Sequence, residues 1–417
     1  MEAQHKRHGL NGLNFFAAAM QTGFGPFVGV WLTLQGWNQI DIGVALSIGS
    51  GVALLSQVPG GMLVDAIHRK RRLAAAALVA LALAALVLAA VPTRYPVWGA
   101  QIVHAVASAI LTPAIAVVTL SLCGHAAFGE RLGINARYAA LGNASAGGLL
   151  GAVSYALPDS MIFVLTAAMA IPALIALSWL GPTDAAAADH PALLPRKDRA
   201  HAAWQIYTDP SLHVFAVCAV LFHLANAAML PLALNVLASR VPEAGFVVSA
   251  AIVVPPIVVA LLSPWAGTMA RRIGRRPVLL VGFLALPARA LLFATNPDAV
   301  PLIAFQVLDG VSATVFGLMA PLIAADLTRR TGYVNLAMGS IGLAAGLGAT
   351  FSTSMAGWIA VVASPAAAFL ALAGVGALGF AVLFLAMPET RPAEPPPGSP
   401  GGPGLARSGP TLRDGAT

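Results

Sequence analysis

Charged residues are scarce in this chain, at 9% of its 417 residues, against about 25% in an ordinary soluble domain. A soluble globule of this size could not cover its surface with so few charges, so we expect most of the chain to face lipid. Apolar residues make up 58% of it, and the mean hydropathy of +0.82 agrees. This composition excludes soluble enzymes, nucleic-acid-binding proteins and secreted disulfide scaffolds.

Cysteine is nearly absent as well. The two cysteines, Cys123 and Cys218, have neither metal-ligand nor CxxC spacing, so we expect no disulfide and no metal site. The sequence also contains no HExxH, GxSxG or GxxxxGK[ST] pattern. We therefore expect no enzymatic activity and no cofactor.

Apolar runs of about 20 residues, the length that crosses a bilayer, are abundant. Runs bounded by charges, proline and glycine predict helices one to twelve at 9–34, 40–67, 73–92, 97–122, 137–158, 160–180, 212–238, 246–269, 277–295, 301–325, 335–362 and 365–387. The pattern predicts an all-α integral membrane protein with twelve transmembrane helices in two pseudo-symmetric six-helix bundles. The domains are an N-terminal bundle at 1–180, a cytoplasmic central loop at 181–211, a C-terminal bundle at 212–387 and a disordered cytoplasmic tail at 388–417, rich in Gly and Pro.

The basic residues follow this topology. With a cytoplasmic N-terminus, 20 of the 23 Lys and Arg fall in the tails and in the loops after even-numbered helices. Arg94 and Arg240 lie on the other side, and Arg289 lies within a span. The positive-inside rule then places both termini in the cytoplasm. The net charge of +7 is explained by topology, and we expect no nucleic-acid partner.

An internal repeat divides the chain at the same place. Gly61 to Asp65 recurs as Gly267 to Arg271, each followed by a basic pair. Gln101 and His104 recur as Gln306 and Asp309. Gly133-Ile134-Asn135, in the predicted loop after helix four, recurs as Gly332-Tyr333-Val334-Asn335. The order and the similar spacing of these features predict a duplicated six-helix unit.

The stretch G-x-L-x-D-x-x-x-R-K-x-x-L between helices two and three, together with two six-helix halves and a basic central loop, resembles the major facilitator superfamily over about 9–390. His68 stands where the family has glycine before the basic pair. The resemblance implies alternating access of a central site from either side of the membrane. It also assigns a cytoplasmic gate to this motif, at Gly61, Asp65, Arg69 and Lys70. The alternative is that Asp65 is a solvated loop acid that serves only topology.

Polar side chains inside the predicted spans mark a candidate cavity, because they are costly in hydrocarbon and normally face a bundle interior or water. Gln101, His104, Ser108 and Thr112 share one face of helix four, and Gln306 and Asp309 take matching positions on helix ten, a cavity-lining pair in the family. His223 and Asn226 on helix seven, and Asn14 and Gln21 with Asn11 on helix one, are further candidates for solute contact. Packing of helices against each other is the alternative for the uncharged members.

Asp309 and Arg289 are charges at matching depth. Counting 1.5 Å per residue places each about 12 Å from the periplasmic face. An unpaired charge there costs at least ~2.5 kcal/mol, so an ion pair is expected to resolve the cost. A permanent structural pair and a proton-titrated pair look alike in sequence. His104 matches Asp309 in the other half and is a second candidate proton carrier.

Small residues predict where the halves meet. Gly43, Ser47 and Gly51 on helix two, and Gly339, Gly342 and Gly346 on helix eleven, have spacing that allows close helix approach. We expect these two stripes to form a sliding contact across the halves.

The function predicted from these features is proton-coupled secondary transport of a small organic solute, neutral or anionic rather than cationic. Export is favoured over uptake, although helix five lacks the family's glycine-proline antiporter run and helix one lacks an acid. An uptake symporter or a uniporter is the alternative, and a membrane receptor a distant one. The expected partners are the solute, the proton and the lipid bilayer, with the chain acting as a monomer. Twenty Arg against three Lys suggest a GC-rich bacterial genome, and hence the bacterial inner membrane.

Overall fold

A computed structural model describes residues 2–24, 26–156, 158, 160–181, 204–238, 245–295, 298–329 and 331–391. These residues contain helices and connections, and no strand occurs among them. The helices are α1 (Glu2–Gly23), α2 (Pro26–Leu34), α3 (Gln39–Ala66), α4 (Lys70–Ala90), α5 (Arg94–Ala156), α6 (Met161–Ala168), α7 (Ala170–Ser178), α8 (Pro210–Asn226), α9 (Met229–Ala238), α10 (Gly245–Ile273), α11 (Arg275–Thr295), α12 (Ala299–Leu327), α13 (Val334–Val362) and α14 (Pro365–Ala386). Most of the predicted central loop and tail, and Arg240, lie outside the described residues.

Ten stretches of the described chain are long and apolar enough to cross a membrane. One of them, Arg94–Leu150, has 57 residues, more than twice the length that a bilayer needs. Its helix α5 breaks at Gly124, where φ is 69° and ψ is 169°, a left-handed conformation that glycine adopts without strain. The first arm of α5 (94–123) and its second arm (125–156) are therefore two spans. With α1 and α2 as the first span, the fold has the twelve predicted spans.

Helix starts follow sequence signals. Asn38, Asp209 and Ser364 each accept a hydrogen bond from a backbone N–H two or three residues further on, as N-caps do. The last two are followed by Pro210 and Pro365, which suit the first turn of a helix because proline has no N–H to satisfy. These caps fix the start of α3, α8 and α14.

The two halves, α1–α7 and α8–α14, have separate apolar cores. Leu78, Leu111 and Leu177 belong to the core of the first half, and Phe215, Phe283 and Phe369 belong to that of the second. The second arm of α5 joins them, because its Phe128 and Leu132 are buried in the core of the second half. The connections α3–α4 and α10–α11 carry the basic clusters at one end of the molecule, which we call the basic end.

The halves touch through two equivalent helix crossings, in which glycine lets backbones approach. A Cβ built on the glycine would overlap the partner backbone at each crossing point. The contacts are Gly61 with Asn335 and Gly339 with Gln57 between α3 and α13, and Gly267 with Gly129 and Gly133 with Ser263 between α10 and α5. A shift of 206 positions relates Gly61 and Asn335 to Gly267 and Gly129. The same shift relates Gly339 and Gln57 to Gly133 and Ser263. The internal repeat is thus a structural repeat.

One predicted equivalence in this repeat is wrong. The sequence predicts a loop at Asn135 and matches this residue to Asn335. Instead the second arm of α5 starts directly after Gly124, so Asn135 lies inside a helix and donates to Thr119 Oγ1 at 2.9 Å. The 206-residue shift pairs Asn335 with Gly129. The charges Glu130 and Arg131 suggested a loop because this helix continues beyond the apolar span.

The predicted contact of the small-residue stripes is only half correct. Gly339, Gly342 and Gly346 do face α3, but they meet Gln57 and Leu54. A Cβ on Gly43 or Gly51 would have no described atom within 4 Å. The reason is the crossing: α3 and α13 touch near the basic end and diverge towards the opposite end.

Candidate transport site

Arg289 on α11 and Asp309 on α12 form an ion pair through Nη1 and Oδ1. The Arg289 side chain is 1% exposed, whereas that of Asp309 is 19% exposed. The pair thus neutralises a guanidinium that is enclosed in the second half. Asp309 is the more exposed partner of the pair.

The guanidinium of Arg289 has partners besides Asp309. Its Nη2 donates to Asn226 Oδ1 at 2.8 Å and its Nε donates to Met229 Sδ at 3.2 Å. It also lies 5.7 Å from the centroid of the Phe293 ring, within the range of a cation–π contact. Three neutral groups thus help to position the Arg289 side chain, while Asp309 supplies its counter-charge. Asn226, predicted to meet solute, is a ligand of this arginine.

A second buried ion pair joins the same two helices at the basic end. Arg275 contacts Asp326 through Nε at 2.9 Å and Nη2 at 3.4 Å, and the two side chains are 9% and 6% exposed. Arg275 also donates to the carbonyl of Ala270 at 2.9 Å. This doubly bonded, enclosed pair resembles a structural brace. It provides a matched reference for Arg289 and Asp309.

A central cavity of about 330 Å³ lies between the halves. The first half contributes four polar side chains to its wall: Gln21, Gln57, Ser108 and Thr112. The second half contributes an apolar wall that includes Phe316, Met338 and Ile341. Of the predicted solute contacts, Gln21 and Ser108 therefore line the cavity.

A side cavity of about 410 Å³ adjoins the central cavity between α3 and α13. The two share Ala53, Gln57 and Gly342, so Gln57 stands at their junction. Asp309 lies seven residues before Phe316 on α12, which is two helical turns, or about 10 Å, further from the basic end on the same helix face. The charge pair and the central cavity are therefore neighbours along one helix.

The other members of the predicted polar stripes are packed away from the central cavity. His104 stacks on Phe24 with the ring centroids 4.1 Å apart, and its Nε2 has no partner among the described residues. Gln101 is buried close to Gly49. Gln306 is fully buried, and the described chain offers neither amide atom a hydrogen bond.

His223 and Asn14 bond to their own helices, whereas Asn11 accepts from Arg131 on the second arm of α5 at 2.6 Å. His223 Nδ1 lies 3.1 Å from the carbonyl of Ala219, and its ring lies edge-on to Phe316 at 4.7 Å. Asn14 donates to the carbonyl of Leu10 at 2.8 Å. His223 therefore supports the apolar cavity wall from behind.

Asp65 connects the halves at the basic end. It is 2% exposed, and its Oδ1 accepts from the backbone N and the side-chain Nδ2 of Asn335 at 3.2 and 2.5 Å. Its Oδ2 accepts from the backbone N of Leu336 at 2.8 Å. Asn335 and Leu336 lie in the first turn of α13, where free N–H groups and the helix dipole favour an anion. The carboxylate therefore caps a helix of the opposite half.

The other residues of the gate motif surround this contact in different ways. Gly61 lets α3 approach the backbone of Asn335. Lys70 is buried and donates to the carbonyls of Val64 and Asp65. Arg69 is exposed, and its backbone carbonyl accepts a hydrogen bond from the N–H of Leu73 at 3.1 Å. Lys70 rather than Arg69 thus closes the end of α3.

The equivalent position in the second half carries a contact of reversed charge. Arg271, where Asp65 stands in the first half, forms an ion pair with Glu130 at the start of the second arm of α5. The two side chains are 51% and 38% exposed. Glu130 is the position that matches Leu336 under the 206-residue shift. The basic end therefore has two latches, one buried and one exposed.

Sequence reasoning missed several of these residues. Gln57 was detectable as a lone amide in an apolar helix, which is a costly choice in lipid. Glu130 was treated as a loop residue. Asn335 was noted only as part of the repeat, because nothing local links it to Asp65.

Twelve spans in two related halves, with a cavity between them and charges inside the membrane, define the class of multi-pass membrane transporters. The profile of the Major Facilitator Superfamily matches residues 10–254 and 212–413. Two uncharacterized MFS-type transporters of Mycobacterium tuberculosis, from strains CDC 1551 / Oshkosh and ATCC 25618 / H37Rv, are each 35% identical over 390 residues, or 91% of this chain and 92% of theirs. The chain belongs to the major facilitator superfamily.

Solved structures agree in fold. The proton:xylose symporter XylE, bound to 6-bromo-6-deoxy-D-glucose, matches with a TM-score of 0.71 at 12% identity, over 93% of this chain and 96% of its own. The human organic anion transporter MFSD10 matches with a TM-score of 0.67 at 16% identity, over 91% and 99%. The E. coli fucose:proton symporter FucP matches with a TM-score of 0.68 at 14% identity, over 91% and 97%. At these identities the likeness concerns the fold alone.

Proposed function

We propose that this transporter works by alternating access in a bacterial inner membrane, with both termini in the cytoplasm, and couples export of a small organic solute to protons. The basic end is the cytoplasmic end in this proposal. The ion pair between Arg289 and Asp309 is the single observation that carries it, since it sets a titratable acid beside the solute path.

Proton coupling is supported by the difference between the two ion pairs of α11 and α12. Asp326 is 6% exposed at the wall of a cavity of about 430 Å³, and Arg275 donates two hydrogen bonds to it, as expected of a brace. Asp309 makes a single contact and is the more exposed of the two acids, while Arg289 keeps Asn226 as a second partner. Asp309 is thus held less tightly in its pair than Asp326 is. This contrast favours a titrating role for Asp309.

Export is supported by the walls of the central cavity. Most of its lining residues are apolar, and the four polar ones bear uncharged amides or hydroxyls. Solutes that fit such a site also partition into the membrane and enter cells without a carrier. A cell needs a coupled transporter for them chiefly to expel them.

Alternating access is supported by the contacts of the basic end. The latches at Asp65 and Arg271 hold this end closed, while α3 and α13 diverge at the other end, as in an outward-facing state. Opening would break these polar contacts and leave each half intact. Two rigid halves can then rock about the glycine crossings.

The test uses the solute that deletion and overexpression strains reveal in a comparison of intracellular and extracellular metabolites. In proteoliposomes, Asp309→Asn should abolish transport driven by a pH gradient and spare solute exchange at equal pH, because exchange moves no net proton. The single change strands Arg289, which can cost 3–5 kcal/mol of stability, so transport is normalised to folded protein. Asp309→Asn with Arg289→Gln should restore stability without restoring coupling.

The matched control is Asp326→Asn with Arg275→Gln, which removes the other buried pair of the same helices. It should keep gradient-driven transport in whatever protein folds. Full uphill transport by the Asp309 and Arg289 double variant would contradict proton coupling at this pair and favour a uniporter or a coupling site at His104. Accumulation of the solute in the compartment that loses protons would support export. Accumulation of the solute in the compartment that gains protons would identify an uptake symporter.

A further inference from the structure

The two walls of the central cavity differ in chemistry. The first-half wall presents carboxamides from Gln21 and Gln57 and hydroxyls from Ser108 and Thr112. The second-half wall is apolar and is built around Phe316. A bound molecule would therefore meet hydrogen-bonding groups on one side and an aromatic surface on the other.

The first-half wall of the central cavity offers polar groups to which a solute could bind. The hydroxyl of Ser108 is buried and finds no hydrogen-bond partner in the described chain. Gln57, which is half-buried, and Thr112, which is exposed, lie on the same wall. Buried polar groups are rarely left without partners, and an amide and a hydroxyl can each both donate and accept. These groups are suited to bind polar atoms of a solute.

The apolar wall is held rigidly. The Phe316 ring stacks on Phe222 at 4.6 Å and on Phe215 at 6.0 Å, and His223 meets its face edge-on. Such aromatic clusters have defined geometry. The ring is therefore a fixed part of the apolar cavity wall.

No charged residue lines either the central or the side cavity among the residues that the structure describes. Asp309 and Arg289 neutralise each other about 10 Å away along α12. A charged solute would lose its hydration shell without gaining a counter-charge, which is strongly unfavourable. The sequence is compatible with a neutral or an anionic solute, and the uncharged cavity walls favour the neutral one.

We propose that the central cavity binds an uncharged solute whose hydrogen-bonding side faces Gln57 and Ser108 and whose apolar side packs on Phe316. The inference rests on the proposed transport function and adds the class of solute. The volume of about 330 Å³ equals about eleven water molecules, which suits a small solute with one ring.

The test uses three probes of nearly equal shape: 3-phenylpropanamide, which is neutral, 3-phenylpropanoate, which is an anion, and 3-phenylpropylammonium, which is a cation. Each is added to the purified full-length protein at pH 7, and binding is measured from the shift in melting temperature over a concentration series. The amide should stabilise the protein, and both ions should bind at least about tenfold more weakly. Equal or tighter binding of either ion, or no stabilisation by the amide, would overturn the proposal.

The variants locate the binding. Gln57→Leu and Ser108→Ala should each weaken amide binding by about tenfold or more. Ser340→Ala is the matched control, since its hydroxyl bonds to the Leu336 carbonyl of its own helix at 2.9 Å and lies outside the cavity lining. Amide binding that survives both cavity variants would also overturn the proposal.

Flux measurements separate this inference from the proposed function. Proteoliposomes that bind the amide but carry no solute would contradict transport and leave the binding preference intact. Proteoliposomes that carry the anion or the cation in preference to the amide would support transport and overturn the class of solute proposed here.

Discussion

Replacing Asp65 by asparagine is expected to open the basic end. The carboxylate accepts three hydrogen bonds from the first turn of α13 and is 2% exposed. Asparagine has one oxygen where the carboxylate has two, so its Nδ2 would face an N–H of α13. The variant therefore loses at least one bond and the negative charge at the helix N-terminus, while the rest of α3 is unchanged.

The size of the effect follows from these contacts. Hydrogen bonds to charged groups contribute about 1.5–3 kcal/mol each, and an anion at a helix N-terminus about 0.3–2 kcal/mol. A loss of about 2–4 kcal/mol would shift the ratio of closed to open basic end by a factor of roughly 30 to 700. Such a shift converts a nearly pure closed state into a mixture that can be measured.

The second latch provides the matched control. Glu130→Gln removes the partner of Arg271 at the equivalent crossing, but that pair is exposed on both sides. Exposed pairs contribute about 0–1 kcal/mol, which is at most about a fivefold shift. The two equivalent substitutions should therefore differ strongly in their effect.

The assay is a distance measurement between spin labels on the two halves. Arg72 and Arg272 are exposed at the basic end on opposite halves and are replaced by cysteine in a protein that lacks Cys123 and Cys218. Asp65→Asn should add a population with a longer distance, and Glu130→Gln should leave the distribution nearly unchanged. An unchanged distribution for Asp65→Asn, or an equal shift for both variants, would refute the argument that the buried carboxylate dominates closure.

Two further predictions concern topology and packing. Cysteine at Tyr95, which is 79% exposed, should react with an impermeant thiol reagent outside whole cells, whereas cysteine at Arg72 should react only after permeabilisation; the opposite pattern would place the basic end outside. Gly339→Leu should lower the melting temperature, because its Cβ would meet Val58 Cα at 3.0 Å and overlap the Gln57 carbonyl. Gly51→Leu should fold with unchanged stability. If the small-residue stripe of α3 contacts α13 when the basic end opens, this variant should transport less, and normal transport would exclude that contact.

The fold could be predicted because the signals for it are local. Apolar runs, N-caps such as Ser364 before Pro365 and the break at Gly124 depend on neighbouring residues only. The depth of Arg289 and Asp309 in the membrane could also be estimated, because both lie on one helical hairpin and each residue of a helix adds a known rise. The cost of a lone charge predicts an ion pair, which is present in the structure, whereas the sequence does not separate a structural pair from a titrating one.

The contacts between halves could not be predicted in the same way. The bond from Asp65 to Leu336 joins residues 271 positions apart, and it depends on where α3 crosses α13. Gly51 and Gly339 look alike in sequence, yet only Gly339 lies at the crossing. Spacing predicts which residues share a helix face, and the crossing geometry decides which part of that face is used.

The two halves repeat their backbone contacts but not their chemistry. Under the 206-residue shift, Leu83 stands where the second half has Arg289, and it is 56% exposed. The charge pair thus belongs to the second half alone, whereas the amides and hydroxyls of the central cavity all belong to the first. In the proposed function, protonation acts on one half while the polar side of the solute binds the other. Neither half could then link the two events alone, and the coupling between proton and solute depends on the movement at the glycine crossings that join the halves.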